Sequence, residues 1–184
     1  MDGNPSKKLT GASLIELITV IVVLALLAAI ALPSLNGLVL RHRLRTAQTE
    51  YMATLQYARA SAVSEGSRTI FCPSHDGHQC SDDNDWAEGW LVGSNGTSAD
   101  QPDGEPLRVS HDAHRQLTVL GISERKHQYV TFQPSGSAGG SNITLVLCHR
   151  GDRNGALAVI VSNSGRIRGE PAAEDKATTC AAAE

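Results

Sequence analysis

The chain opens with a basic segment, followed by a long apolar run that contains one carboxylate. Lys7 and Lys8 precede the run from Leu14 to Leu32, in which Glu16 is the one charged residue. As a helix rising about 1.5 Å per residue, a run of this length spans about 28 Å, enough to cross the core of a bilayer. A charge inside a membrane segment costs several kcal/mol, so Glu16 needs a cationic partner.

A cation becomes available if the chain is cut after Gly11. Ala12 then carries a new amino terminus four positions before Glu16, and a free amine of the same or a neighbouring subunit could neutralise the carboxylate. An ordinary secretory signal or membrane anchor would also explain the lysines and the apolar run, but it would not explain Glu16. The lysines should stay cytoplasmic, which leaves everything after Leu32 outside the inner membrane.

The segment Gly11-Ala12-Ser13-Leu14-Ile15-Glu16-Leu17 resembles the amino terminus of type IV pilins and pseudopilins. In that family a basic leader ends in Gly and is followed by Phe, then Ser or Thr, then Leu-Ile-Glu-Leu; Ala12 in place of Phe is the departure. The resemblance implies that a prepilin peptidase removes residues 1–11 and that Ala12 is methylated. It also implies that Glu16 serves assembly with other pilins and that the chain is held in the inner membrane beforehand.

Residues 12–33 are therefore predicted to form a transmembrane and assembly helix, which Pro33 would kink. Residues 34–65 continue as an amphipathic helix, because apolar residues recur at spacings of three and four. This stripe should cover a sheet, and Gly66 should end the helix. The stripe consists of Leu44, Ala47, Tyr51, Leu55, Ala58 and Ala62.

Residues 66–184 are predicted to form a β-rich domain, because short β-like runs alternate there with turn residues. Short strands packed on one long helix predict an α+β fold with mostly antiparallel hairpins. The segment 135–142, rich in glycine, should be a mobile loop. The predicted strands cover 69–72, 89–92, 107–110, 117–120, 129–133, 143–148 and 157–162.

The four cysteines would lie in an oxidising compartment, which favours disulfides over free thiols. Three pairings are possible; the one favoured joins Cys72 to Cys80 and Cys148 to Cys180. A zinc site built from Cys72, Cys80, His75 and His78 is the alternative, although its spacing is not a familiar zinc pattern. A calcium site in residues 82–85 is less favoured than a solvated acidic loop, and we expect no metal or other cofactor.

The formal net charge of −3 does not indicate a protein that binds nucleic acid over its whole surface, so any such function must be local. Between Cys72 and Asp112 acidic residues far outnumber the single base, Arg108, and this surface would repel DNA. Four arginines of the amphipathic helix are interpreted as a solvated face near lipid headgroups: Arg41, Arg43, Arg45 and Arg59. Catalytic signatures are absent, so we do not expect an enzyme.

The globular part is similar to the FimT branch of the FimT/GspH minor pilins. The resemblance is carried by Cys72-Pro73-Ser74-His75-Asp76-Gly77, Cys80, Trp86, Gly89-Trp90, Phe132-Gln133-Pro134-Ser135-Gly136, Leu147-Cys148, Ser164-Gly165-Arg166-Ile167-Arg168 and Cys180. Its most specific part is the Gly-Arg-x-Arg element, which in FimT-like proteins of naturally competent bacteria is associated with binding DNA during uptake. Arg166 and Arg168 are the matching residues.

Arg166 and Arg168 are two positions apart, so in an extended segment both guanidinium groups project from one face toward phosphates. Gly165 leaves the backbone open to close approach, and Arg150 and Arg153 are expected to converge on the same place. Alternatively, the element only solvates a hairpin end, with Arg168 neutralised by Glu170 and Arg153 by Asp152.

Residues 141–184 carry five bases and five acids, so affinity for double-stranded DNA should be modest and independent of sequence. The sequence thus predicts a minor pilin of a type IV pilus that binds extracellular DNA and supports natural transformation. The main alternative is a structural minor pilin, or a type II secretion pseudopilin, that does not bind DNA. A metal-binding or adhesive tip subunit is the least supported interpretation.

Overall fold

The computed structural model describes residues 13–97, 100–111, 114, 116–124 and 127–183, without the side chains of 28–36. These described residues form two helices and eight strands. They fall into two units, one ending at Val39 and the other beginning at Leu40. The first helix, α1 (Leu14–Glu65), contributes to both units.

The first unit contains the amino-terminal part of α1. Its described apolar side chains, from Leu14 to Leu27, are exposed in the isolated chain. Within the described part of the chain, no helix is both long enough and apolar enough to span a membrane. The membrane-spanning role of residues 12–33 stays a prediction.

Glu16 lies in the first turn of α1, where its backbone carbonyl accepts a hydrogen bond from Thr19 Oγ1 at 2.8 Å. Gly11 and Ala12, the predicted cleavage and methylation residues, lie outside the described residues, as does the leader 1–11. Processing and the assembly role of Glu16 therefore stay predictions.

In the second unit, α1 packs through the stripe that its periodicity predicted. Leu44, Ala47, Tyr51, Leu55, Ala58 and Ala62 are all buried. The helix ends at Glu65, and Gly66 follows with a φ of +62°, a left-handed conformation that glycine adopts without steric cost. The buried stripe and the helix stop are both confirmed.

Two antiparallel sheets of four strands receive this stripe. The first has the order β3 (Arg108–His111), β2 (Gly89–Ser94), β1 (Thr69–Pro73), β5 (Val130–Phe132); the second has the order β4 (Leu117–Ile122), β6 (Ile143–His149), β7 (Asp152–Val161), β8 (Ile167–Pro171). Side chains from both sheets join the α1 stripe in one apolar core. The α+β class with antiparallel pairing is confirmed.

The carboxyl-terminal end of the chain contains two elements that the sequence patterns missed. Strand β8 is short and largely exposed, and α2 (Glu174–Ala182) crosses the outer face of the second sheet. Neither has an apolar periodicity strong enough to stand out. Both are kept in place by what precedes them: β8 pairs with β7, and Cys180 of α2 forms a disulfide with Cys148 of β6.

Tyr51 joins α1 to the loop before β2 by a buried polar contact. Its hydroxyl donates a hydrogen bond to the carbonyl oxygen of Trp86 at 2.5 Å. Burial, assisted by the charges of Glu50 and Asp85, raises the pKa of Tyr51 well above its usual value. The hydroxyl therefore remains a proton donor throughout the physiological range.

We expect Tyr51→Phe to lower the free energy of unfolding by about 1 to 3 kcal/mol, because the buried Trp86 carbonyl loses its donor. Tyr57→Phe is the matched control, since Tyr57 lies on the same helix but is exposed. Urea unfolding followed by circular dichroism measures both variants. Equal stabilities of the two variants would show that the Tyr51 hydrogen bond adds nothing.

Candidate nucleic-acid interface

The Gly-Arg-x-Arg element begins in the turn between β7 and β8 and continues into the first residues of β8. The Gly165 amide donates to Ser162 O at 2.8 Å, and the Ser162 amide donates to Arg166 O at 3.0 Å, which closes the turn. Gly165 has a φ of +78° and is buried against Gly136, so a Cβ at this position would overlap the Gly136 carbonyl oxygen. Glycine is therefore required here both by backbone conformation and by close approach.

The loop that lies under this turn is held on several sides. Arg59 of α1 donates from Nε to the Gly136 carbonyl at 2.8 Å, and the Ala138 amide donates to Asn163 O at 2.9 Å. The Ser141 hydroxyl is within hydrogen-bond distance of the Thr131 carbonyl. The segment 135–142 forms a loop that is hydrogen-bonded to α1, β5 and the β7–β8 turn, and its mobility stays a prediction.

Arg166 and Arg168 are both exposed to solvent. Arg168 Nε donates to Glu170 Oε2 at 3.0 Å, and both side chains keep nearly half of their surface accessible, 45% and 44%. An ion pair at such exposure contributes little net free energy. The bond also uses one of the five N–H donors of the guanidinium group, so Arg168 can still present its other donors to a phosphate.

Arg150 and Arg153 do not join Arg166 and Arg168, which corrects the expectation that all four converge. Arg168 pairs with Ile160 of β7, whereas Arg153 lies seven residues earlier on the same strand, up to about 23 Å away at about 3.3 Å per residue. Arg153 instead approaches Glu174 at 3.6 Å. The two pairs of arginines thus lie at opposite ends of β7, because a long strand separates the turns at its two ends.

Arg59 is the arginine that the structure brings to the turn. In the sequence it was grouped with Arg41, Arg43 and Arg45 as a solvated helix face. Its Nε bond to Gly136 bridges 77 positions of the chain, and a Cβ on Gly165 would lie 3.2 Å from the same nitrogen. A contact over such a separation leaves no local signal, so sequence patterns could not have identified it.

The cysteines form the disulfides Cys72–Cys80 and Cys148–Cys180, the pairing that the sequence favoured. The sulfurs of Cys72 and Cys80 are therefore not available as zinc ligands. In the described residues, no group of three His, Cys, Asp or Glu side chains is arranged to hold a metal ion. His75 is instead held between two carboxylates, with Nε2 2.5 Å from Asp83 and Nδ1 2.8 Å from Glu88.

A long amino-terminal helix followed by two antiparallel sheets is the arrangement of a pilin-like fold. The sequence profile of the family described as "Type II transport protein GspH" matches residues 47–165. The chain belongs to this GspH family of minor pilins and pseudopilins. No curated protein sequence matches the chain.

Solved structures of related proteins are similar to this one. A crystal structure of the type IV minor pilin FimU of Pseudomonas aeruginosa strain PAO1 has 30% sequence identity and a TM-score of 0.57, covering 71% of this chain and 90% of that one. A second crystal form of FimU has 28% sequence identity and a TM-score of 0.55, covering 70% of this chain and 93% of that one. The minor pseudopilin EpsH from the type 2 secretion system of Vibrio cholerae has 10% sequence identity and a TM-score of 0.51, covering 70% of this chain and 97% of that one. At this identity the similarity is one of fold alone.

We expect Gly165→Ala to destabilise the protein more than Gly155→Ala. Both glycines have positive φ values, +78° and +71°, so each substitution pays about 1–2 kcal/mol for the left-handed conformation. A Cβ at Gly155 meets nothing within 4 Å, whereas one at Gly165 meets the Gly136 backbone. Urea midpoints measure the difference, and identical midpoints would contradict a tight Gly165–Gly136 contact.

The contacts of His75 predict a pH-dependent stability. Its hydrogen bond with Asp83, together with the charges of Asp83 and Glu88, raises the pKa of His75 above the usual 6.5, although partial burial opposes this. A raised folded-state pKa contributes stability that is fully present below the unfolded pKa and is lost as pH rises through the folded pKa.

His75→Gln should therefore destabilise the protein at about pH 5.5 and have a smaller effect at about pH 8.5. His78→Gln, at an exposed histidine of the same loop, is the control and should show no such trend. Unfolding free energies at both pH values measure the effect. A His75→Gln effect that grows with pH would contradict the proposed interaction of the imidazolium with the two carboxylates.

Proposed function

We propose that this chain is a minor pilin of a type IV pilus that binds extracellular double-stranded DNA without sequence preference and supports DNA uptake in natural transformation. The chain is a filament subunit rather than an enzyme. Before assembly it is anchored in the inner membrane by residues 12–33, with the globular unit in the periplasm, after prepilin peptidase has cut at Gly11 and Ala12 has been methylated. Assembly with other pilins carries it to the cell surface.

One observation carries the DNA-binding proposal. Arg166 and Arg168 are exposed at a hairpin turn whose backbone is fixed by the Gly165–Gly136 contact and by Arg59. A preorganised turn presents its guanidinium groups without a large ordering cost. Arginine suits this purpose because its planar fork matches the geometry of phosphate oxygens. This geometry supports a phosphate-binding site, and phosphate contacts carry no sequence information.

Binding through this turn would be weak and dependent on salt. Each neutralised phosphate of duplex DNA contributes about −0.9 to the slope of log K against log salt, so two arginines give a slope near −1.8. The pair Arg168–Glu170 lowers the local positive charge further. Weak single contacts suit a filament, because several linked sites gain from effective concentration while each contact stays reversible.

A structural subunit is the second candidate. The family description "Type II transport protein" and the likeness to FimU favour a minor pilin or pseudopilin that helps to build or prime a filament. In that case the Gly-Arg-x-Arg turn would solvate the hairpin end, and the Arg168–Glu170 pair would be its main interaction. DNA binding distinguishes the two candidates.

We expect the full chain, purified in detergent, to bind unrelated DNA duplexes at low salt, and the variant Arg166→Gln/Arg168→Gln to lose most of this binding. Fluorescence anisotropy at several salt concentrations gives both the affinity and the salt slope. The matched control is Arg150→Gln/Arg153→Gln, which removes the same charge at the other end of β7 and should leave binding nearly unchanged.

The possible outcomes separate the candidates. Equal binding by wild type and the Arg166/Arg168 variant would remove the turn as the site, and no binding by any protein would favour the structural subunit. In cells, the same variant should lose transformation while pili still assemble. Loss of pili would indicate a structural role for the turn.

A further inference from the structure

A row of side chains across the second sheet leads from Arg168 toward α2. Thr144 of β6 pairs with Ile160 of β7, and Ile160 pairs with Arg168 of β8. Residues directly opposite each other on neighbouring strands project to the same face of a sheet. Thr144, Ile160 and Arg168 therefore lie side by side on one face.

This face is the one that α2 covers. Along β6, Val146 and Cys148 alternate with residues of the main core and pack with Ala177 and Cys180 of α2. Their neighbours Leu145 and Leu147 point to the opposite side, into the core with α1. Thr144 shares the alternation of Val146 and Cys148, so Arg168 projects on the α2 side of the sheet.

Lys176 of α2 reaches the end of this row. Its Nζ donates to Thr144 Oγ1 at 3.4 Å. Since neighbouring strands lie about 4.8 Å apart, the backbones of Thr144 and Arg168 are about 10 Å apart. The ammonium group of Lys176 and the strand position of Arg168 thus lie on either side of the half-buried Ile160.

Two of the acids near these cations pair with arginines. Glu170 accepts from Arg168 Nε, and Glu174 approaches Arg153. Asp175, the remaining acid of α2, is exposed to solvent. Lys176 contacts a neutral hydroxyl rather than a carboxylate, so its charge is available to an anionic partner.

The position of Lys176 depends on how α2 is fastened. The helix has only nine residues, and its N-cap is Ala173, which makes no side-chain capping bond. An isolated helix of this length is marginal in water. The Cys148–Cys180 disulfide closes a separation of 32 residues and, with Ala177 and Cys180 buried against β6, holds the helix on the sheet.

We infer that Lys176 is a further contact for the DNA backbone beside Arg168, and that the Cys148–Cys180 disulfide is required for this contact. The inference rests on the proposed function and extends it: the DNA-binding surface runs from the β7–β8 turn across Ile160 to α2. Lys176 acts there as a point charge for a phosphate and adds no sequence preference.

Lys176→Gln should weaken binding of a DNA duplex several-fold at low salt and reduce the magnitude of the salt slope by about 0.9, the value for one phosphate. Lys176→Arg preserves the charge and should keep the wild-type slope. Arg153→Gln removes a cation from the other side of α2 and should not change the slope. A wild-type slope for Lys176→Gln would overturn the inference.

The disulfide is tested by Cys148→Ser/Cys180→Ser, which should bind DNA with the reduced slope of Lys176→Gln. Adding Lys176→Gln to this variant should then cause no further loss. Cys72→Ser/Cys80→Ser is the matched control and should keep the Lys176 contribution. Circular dichroism establishes that each variant is folded, and reductant added to Cys72→Ser/Cys80→Ser gives the same comparison without substituting Cys148 or Cys180.

These results are distinguishable from a failure of the proposed function. If wild type binds DNA through Arg166 and Arg168 but Lys176→Gln has no effect, the inference fails and the proposed function stands. If the Lys176 contribution survives loss of Cys148–Cys180, the disulfide requirement fails. If wild type binds no DNA at any salt concentration, the proposed function itself fails.

Discussion

The packing of α1 against both sheets is the contact on which the rest of the globular unit depends. The helix contributes an apolar stripe from Leu44 to Ala62, and side chains of the two sheets close over it in one core. Side chains of both sheets meet in this core, and an isolated bridge joins Asp85, in the loop before β2, to Leu120 of β4. Removing the stripe would therefore expose the side of each sheet that faces α1.

The same helix also positions the candidate interface. Arg59, on the exposed side of α1, donates to Gly136, and Gly136 in turn lies against Gly165. Nearer the amino terminus of α1, Gln48 Nε2 donates to the Ala158 carbonyl of β7 at 2.8 Å. A Cβ on Gly169 of β8 would contact Gln48 and Met52. The hairpin that presents Arg166 and Arg168 is thus fitted closely to the helix, which explains why small residues surround the arginines.

Sequence patterns predicted elements with strong periodicity and missed those without it. The α1 stripe, the Gly66 stop and the antiparallel strands of the core followed from apolar spacing and turn residues. Strand β8 and helix α2 did not, because β8 is mostly exposed and α2 is short and held by a disulfide. Likewise, two-residue spacing pointed to Arg166 and Arg168, whereas the grouping with Arg150 and Arg153 was wrong because β7 separates them.

By itself, the sequence determined the class of fold, the buried face of α1 and the two arginines of an exposed turn, since each depends on neighbours within a few positions. Tertiary structure alone decided which cations share a surface. Arg59 meets Gly136, and Lys176 meets Thr144 beside Arg168, across separations of 77 and 32 residues. The physical reason is that strand register and disulfide closure bring together residues whose local sequence carries no trace of the contact.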